Sequence, residues 1–508
     1  MQPDMTLADV LRRAVQLFPD RPATVDSDGV LTYEQLGARV RALAAGLRRQ
    51  GLEPGDSVAA LMQNGHRYLE MYFGVAAAGG ILVPLNNRHA TAEHKYILDD
   101  AGVQLLVTDR ESLDMAYQLA DSVKAVVAAP DEYEEFLDHD GPELASYEAP
   151  AGAVAALFYT GGTTGKSKGV MLSHRNLVAN ALHTIIGLEY RAEDRYLHAA
   201  PMFHLADGAF TYALTWVGGC HIFVPTFEPA AVLNAIERHR VTVTMLVPTM
   251  INSLINHPDL GTTDCSSMRL VMHGGAPIAT ELLSRATEQL GCSFTQAYGM
   301  TEAAPNLTFL RHEEKLIGDD RLRSAGQEII GVEVRVVRPD GTLCNTGEVG
   351  EVIARGPNML MGYWNRPEET AAALRNGWYW SGDMGFYNET RHLFIVDRAK
   401  DMIISGGENV YSTEVENAVM AHPAVLECAV FGIPDEHWGE RVHVALVLRP
   451  HASLTVADLA SFCAERIAGY KRPRSMELHD SLPKSGAGKI LKRDLRARHW
   501  EGKNRSIN

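Results

Sequence analysis

The sequence predicts an α/β protein. A large N-terminal domain of parallel sheets covered by helices carries a small β-barrel, and a smaller α+β C-terminal domain follows it. Three observations lead there. Helix and strand signals alternate over the first 130 residues and again up to about residue 310. Around 325–356 the apolar period shortens to two, the pattern of antiparallel hairpins. From residue 401 a compact order of strand, helix, two strands and helix begins, so a domain boundary falls at 397–401.

Taken in order, Thr32-Tyr33-Glu34-Gln35 reads as a capping box, with Leu36, Val40, Leu43 and Leu47 on one helical face before Gly51 stops it. A strand over 57–62, a helix over 66–78 and a strand over 81–83 follow. The spacing next predicts a helix over 91–101 and a strand over 104–108. An acidic connector, 131–149, separates this run from the next. Val332, Val334 and Val336 alternate, Pro339-Asp340-Gly341 turns the chain, and 349–354 returns. In the last domain strands are expected at 402–405, 425–431 and 442–448, with helices at 412–421 and 456–468.

Composition narrows the function classes. Of 508 residues, 46% are apolar and 22% charged, a globular mixture, and the net charge of −16 argues against nucleic acid or an anionic membrane as a general partner. The stretch 471–505 is locally basic, with 11 Lys/Arg against 4 Asp/Glu, so an anionic ligand is expected there. Six scattered cysteines without a C-x-x-C pair speak against a zinc ribbon or a disulfide scaffold and fit a reducing compartment. The uncharged window 208–227 is broken by Gly218-Gly219, His221 and Pro225, so it reads as a buried helix and strand, not a transmembrane segment. A cytoplasmic protein is expected, and a homodimer is compatible with the sequence.

The chemistry concentrates in a few segments. Between two apolar strands, Tyr159 to Val170 places Thr160, Gly161, Gly162, Thr163, Thr164, Gly165, Lys166 and Lys168, a loop whose N–H groups, hydroxyls and ammonium groups suit phosphate oxygens. Thr160 stands where a Walker A loop needs Gly, and a plain glycine-rich hairpin is the bland alternative. After a strand over 293–297, Tyr298-Gly299-Met300-Thr301-Glu302 offers an aromatic face, a hydroxyl and a carboxylate, fit for a purine, a phosphate and Mg²⁺. Then come Trp378 to Asp383, Val396 to Val410 with Arg398, Lys400, Gly406, Gly407 and Glu408, and Pro483 to Leu491 with Lys489.

In this order the segments resemble the adenylate-forming (ANL) superfamily, and within it the acyl-CoA synthetases, over almost the whole chain. The resemblance implies a two-step ligase using ATP, Mg²⁺ and CoA, with domains 1–397 and 401–508 joined by a hinge at 398–400 and the second domain mobile. It implies that the 160–169 loop holds ATP phosphates and that Tyr298 stacks on adenine beside Gly274-Gly275-Ala276. Thr301 would meet phosphate, Glu302 would bind Mg²⁺, and Asp383 would accept the ribose hydroxyls with help from Arg398. Lys400 takes the hinge position and Lys489 that of the adenylation lysine. His204, in Pro201-Met202-Phe203-His204, would gate the carboxylate. Gly406, Gly407, Glu408, Trp438 and Arg472 would face CoA. Ser167 departs from the family, where Pro is common. For His204, a packed or capping histidine is the reading its surroundings alone favour.

Gly208, Ala209, Ala213, Ala303 and Ala304 are small, Met202, Phe203, Phe210 and Trp216 are apolar, and no Lys or Arg falls between Met202 and Thr226. These favour a medium- or long-chain fatty acid, with an aryl or cinnamic-type acid as the alternative. A phosphotransferase releasing ADP is the rival from another class, but it would leave Asp383 and Lys489 without a task. A non-catalytic nucleotide-binding module would leave Glu302 idle as well.

Overall fold

The computed structural model describes residues 5–139, 150–160, 167–276, 278, 280–311, 320–398, 401–484 and 490–501. Thr32 caps the helix Tyr33–Arg49 as expected: its Oγ1 accepts from Gln35 N at 3.3 Å, and Gln35 Oε1 accepts from Thr32 N at 2.8 Å. Leu36, Val40, Leu43 and Leu47 are all buried on one face.

Two large sheets form the N-terminal body. The seven-stranded sheet runs Gly362–Tyr363, Lys168–Ser173, Val154–Thr160, Ile81–Pro84, Ser57–Leu61, Val103–Thr108 and Ala125–Ala128. Its interior pairs are parallel, and antiparallel pairing begins at Val154–Thr160. The nine-stranded sheet is likewise parallel inside, with antiparallel strands at both ends. Its strands Leu270–Gly274 and Ser293–Gly299 lie side by side. The helix His66–Ala78 touches strands of both sheets and is buried nearly all round, the signature of a helix between two layers. One hydrophobic cluster spans both sheets and their helices.

The antiparallel unit expected after residue 325 is a five-stranded sheet around Trp378–Tyr387, which pairs with Gly350–Arg355 and Leu393–Arg398. The C-terminal unit has its own five-stranded sheet and its own core, including Ile403, Val415, Val430, Val444 and Leu459. The uncharged window 208–227 contains the helix Phe210–Val217 and the strand Cys220–Phe223. Among the described residues, no helix is long and apolar enough to cross a membrane.

Two expectations need correction. The acidic connector, expected only as a link between two α/β runs, starts with a helix, Asp131–Phe136. Tyr133, Phe136 and Leu137 fall at i, i+3 and i+4 and are buried, while Arg39 and Arg67 pair with Glu134 on its outer face. The last expected helix ends early, at Cys463 and not at 468. Leu459 and Cys463 are buried, and Ile467 continues their stripe against the same core, but residues 464–466 form turns and not a continuous helix.

Candidate active site

The strand end of the nine-stranded sheet, the small antiparallel sheet and the base of the glycine-rich loop meet in one place. Gly274 closes its strand opposite Ala297, and a Cβ there would lie 2.5 Å from the Ala297 carbonyl oxygen, so only glycine lets the two strand ends approach. Gly275 then turns with φ of +77° into Ala276. This brings the segment beside Tyr298.

The Tyr298 hydroxyl donates to Asp383 Oδ2 at 2.8 Å, and Arg398 Nε lies 3.3 Å from Asp383 Oδ1. Asp383 and Arg398 are direct partners across antiparallel strands, which explains why residues fifteen apart act together. Asp383 is buried, and its N–H donates to Ser381 Oγ at 3.0 Å. Burial, reinforced by the Asp383 carboxylate, pushes the Tyr298 phenol well above its ordinary range, so it remains a donor. The ring was expected to stack on adenine; its hydroxyl is now seen to orient the carboxylate expected to read ribose.

Glu302 follows in a short 3-10 turn, Thr301–Ala303, beside Gly299. Its Oε1 accepts the Tyr363 hydroxyl at 3.0 Å, and burial pushes its carboxyl upward against the lowering effects of Tyr363 and Arg398. A half-buried carboxylate whose charge is disfavoured by burial suits a hard divalent cation, which would hold it ionised. Thr301 is half-buried on the same turn. Lys168 Nζ lies 5.3 Å from the Tyr363 ring centroid, a cation–π contact that ties the loop base to Glu302. Thr160 pairs with Lys168 across the hairpin, Tyr96 donates to Ser167 O at 3.0 Å, and Trp364 N donates to Gly169 O at 2.8 Å. The base of the loop is therefore fixed. Gly161, Gly162, Thr163, Thr164, Gly165 and Lys166 lie outside the described residues, as do Lys400 and Lys489.

His204 caps the short helix Leu205–Gly208, its Nδ1 accepting from Ala206 N at 3.2 Å. Its segment is held by Asn64, whose Oδ1 accepts from Met202 N at 2.8 Å and whose Nδ2 reaches the carbonyls of His198, Ala200 and Val224. The small residues expected to widen a pocket are packed instead. Ala209, Ala213, Ala303 and Ala304 are at most 1% exposed, and a Cβ on Gly208 would sit 2.7 Å from Met202 O, with the Tyr72 hydroxyl closer still.

In the C-terminal unit Gly406 and Gly407 form the two-residue turn joining Ile403–Ser405 to Glu408–Val410, with φ of +63° and +85°. A type I′ hairpin needs positive φ at both positions, so the turn alone accounts for both glycines. Trp438 packs over Gly406, accepts its N–H at the backbone (2.7 Å), and carries Arg474 on its ring at 4.1 Å. Glu408 is exposed beside them, whereas Arg472 turns back toward Ile467 O at 3.5 Å. Arg474 therefore joins the expected CoA-side group.

Sequence reading missed Tyr363, Asn64 and Asn358; the last donates to the carbonyls of Ala303 (2.7 Å) and Asn306 (2.9 Å), fixing the turn after Glu302. None belongs to a motif of its own. Asn64 lies in the polar stretch Gln63-Asn64-Gly65-His66-Arg67, so nothing local sets it apart.

The profile of the AMP-binding enzyme family matches residues 11–364, and that of the AMP-binding enzyme C-terminal domain matches 414–489. The chain is 39% identical over 489 residues to a feruloyl-CoA synthase of Amycolatopsis sp, covering 96% of this chain and 97% of the relative. It is 34% identical over 520 residues to a medium/long-chain-fatty-acid–CoA ligase of Mycobacterium tuberculosis, covering 97% and 90%. The fold matches o-succinylbenzoate CoA synthetase from Bacillus subtilis in complex with its acyl-adenylate intermediate (TM-score 0.84, 32% identity, 96% and 97% covered). It also matches ATP-bound MatB from Rhodopseudomonas palustris (TM-score 0.88, 31% identity, 97% and 99% covered). With its two parts matched in order and its charged residues gathered at one strand end, the chain belongs to the AMP-binding enzyme family and is an adenylate-forming acid–thiol ligase.

Proposed function

We propose that this ligase joins an aryl-propenoic acid of the ferulate type to CoA, cleaving ATP to AMP and pyrophosphate through an acyl-adenylate. The observation that carries the adenylation step is the Tyr298–Asp383–Arg398 cluster next to the Tyr363-held Glu302. Asp383, oriented by two donors, accepts the two ribose hydroxyls. Lys168 and the hydroxyls of Thr160 and Thr301 meet the phosphates. Mg²⁺, held at Glu302, supplies charge neutralisation at the phosphates. Lys489, delivered by the C-terminal domain, offsets repulsion between the carboxylate and the α-phosphate. The domain boundary at 398–400 then allows a second arrangement, in which Gly406 and Gly407 admit the pantetheine thiol.

Two supports favour the aryl acid: the 39% identity to a feruloyl-CoA synthase, and the close packing of 208–213 where a long chain was expected to run. A fatty acid is the second reading, supported by the 34% identity to a fatty-acid–CoA ligase and by the absence of Lys and Arg between Met202 and Thr226.

A carboxylate panel read by pyrophosphate release, with and without CoA, separates them. Ferulate and cinnamate should exceed every fatty acid from eight to sixteen carbons in kcat/KM. A rate rising with chain length and negligible turnover of ferulate would overturn the aryl assignment, and ADP as product would overturn adenylation itself. Glu302→Gln should slow adenylation at least tenfold, about 1.4 kcal/mol of barrier. In single turnovers Lys489→Ala should lose acyl-AMP formation yet still convert supplied acyl-AMP, and Gly407→Leu should do the reverse. Equal slowing of both steps in both variants would reject domain alternation.

A further inference from the structure

Outside the active site, His443, Glu477 and His499 bring their ligand atoms within 4.8 Å of one another, the one such group of three among the described residues. His443 lies on the strand Gly439–Leu448 and pairs with Ser475 on the parallel strand Ser475–Leu478. Glu477, two residues further on, therefore points to the same face as Ser475. His499 arrives from the turn after the helix Lys492–Ala497, whose Leu495 is buried against the same sheet. The rings of His443 and His499 lie 5.0 Å apart and both pack against Phe431.

The spacing is unusual for a hydrogen-bonded cluster. His443 Nε2 is 3.7 Å and His499 Nε2 is 3.5 Å from the same oxygen, Glu477 Oε2. Neither distance makes a hydrogen bond, and both nitrogens are buried with no partner. His443 is only 4% exposed. An orphaned buried polar atom is costly, and here two of them face one carboxylate oxygen. A tetrahedral zinc site with bonds of about 2.0–2.1 Å sets neighbouring ligand atoms about 3.3 Å apart, so small adjustments would satisfy all three.

The surroundings are already arranged for ligation. His443 Nδ1 meets Ser475 Oγ at 2.8 Å, which fixes the ring and leaves Nε2 for the site. Glu477 Oε1 is taken by His479 Nε2 at 3.0 Å and by the Arg498 guanidinium, leaving Oε2 to the cluster. Half-exposed Arg498 shares the carboxylate, which sets affinity below that of a His₂Glu site without a neighbouring cation.

We propose that His443, His499 and Glu477 bind one divalent transition-metal ion, Zn²⁺ by donor type, which clamps the 490–501 segment to the C-terminal sheet. In the chain these ligands bracket residues 485–489: Glu477 precedes them and His499 follows. The clamp therefore fixes both flanks of the segment that contains Lys489. It needs no ATP, so its test is independent of the ligase reading.

The test uses the full-length chain stripped by chelator. Zn²⁺ titrated in competition with a chromogenic chelator should bind one ion per chain, and Co²⁺ should give the visible bands of a tetrahedral site. His499→Gln, on a half-buried terminal turn where folding is not at risk, should weaken Zn²⁺ binding at least tenfold, and Glu477→Gln likewise. Trypsin cleavage at Arg493 and Arg498 should slow several-fold with Zn²⁺ in the wild type and not in His499→Gln. No uptake, or uptake unchanged by both substitutions, overturns the site. Uptake at the site with unchanged cleavage overturns the clamp.

Discussion

In the N-terminal domain His198 and His221 are wholly buried with every ring nitrogen partnered, whereas in the C-terminal unit His443 and His499 face a carboxylate across distances no hydrogen bond spans. The first set forms a continuous chain. Asp207 accepts from the Tyr196 hydroxyl at 3.0 Å and from His198 Nδ1 at 2.6 Å. His198 Nε2 accepts from His221 Nδ1 at 3.0 Å, and His221 Nε2 accepts from Thr215 Oγ1 at 3.0 Å. In this arrangement no ring nitrogen is left over. The second set has two orphaned nitrogens. A complete network rigidifies the element it lies on, here the helix start behind His204; an incomplete one has room for a ligand. Satisfaction, more than residue type, separates a structural histidine from a candidate ligand.

The largest expected effect comes from breaking the complete chain. Asp207→Ala leaves Tyr196 and His198 without their acceptor inside the core, and removing one member of a buried pair costs about 3–5 kcal/mol. Urea denaturation followed by tryptophan fluorescence measures it. A loss under 1 kcal/mol would mean that water or a neighbour replaces the carboxylate, and that the network does not hold its segment.

A smaller effect is the pH dependence of that chain. Burial, with His198 adding to it, holds the His221 imidazole well below its ordinary value. The unfolded chain takes up a proton near pH 6.5 that the folded chain refuses. Stability from this group is therefore complete above about pH 6.5 and falls below it, by up to about 1.4 kcal/mol per pH unit. His221→Gln should flatten the acid limb by one proton. An identical slope in wild type and variant would place the acid sensitivity elsewhere.

How far the sequence could show this depends on the range of the interaction. The helix Tyr33–Arg49 was legible because its capping box lies within four residues, and Asp383 and Glu302 were legible because each sits in a short run of mixed chemistry. Tyr363 could not be read as the partner of Glu302, sixty-one residues away, since only strand pairing brings them together. The same holds for Asn64 and for the Asp207 chain. Small side chains at 208–213 suggested space, but whether a glycine opens a cavity or admits a close neighbour depends on Tyr72, from a different helix. The helix over 131–136 was hidden by its acidic composition, although its buried face is only two aromatic residues and a leucine.

The smallest expected effect is the most discriminating. In metal-free protein, His443→Leu removes one orphaned nitrogen and fills similar volume beside Phe431. It loses the Ser475 contact, worth about 0.5–1.5 kcal/mol, but Ser475 is only half-buried and can turn to water. The gain from deleting an unsatisfied atom offsets most of that loss, so stability should change by less than about 1 kcal/mol. The same substitution at His198 would break two hydrogen bonds in a dry core and should cost several times more. Thermal unfolding of both variants in chelator compares them directly. Zinc added afterwards should stabilise the wild type and leave His443→Leu unmoved. If His443→Leu cost as much as His198→Leu without metal, the two histidine sets would be equally structural, and the C-terminal spacing would reflect packing alone.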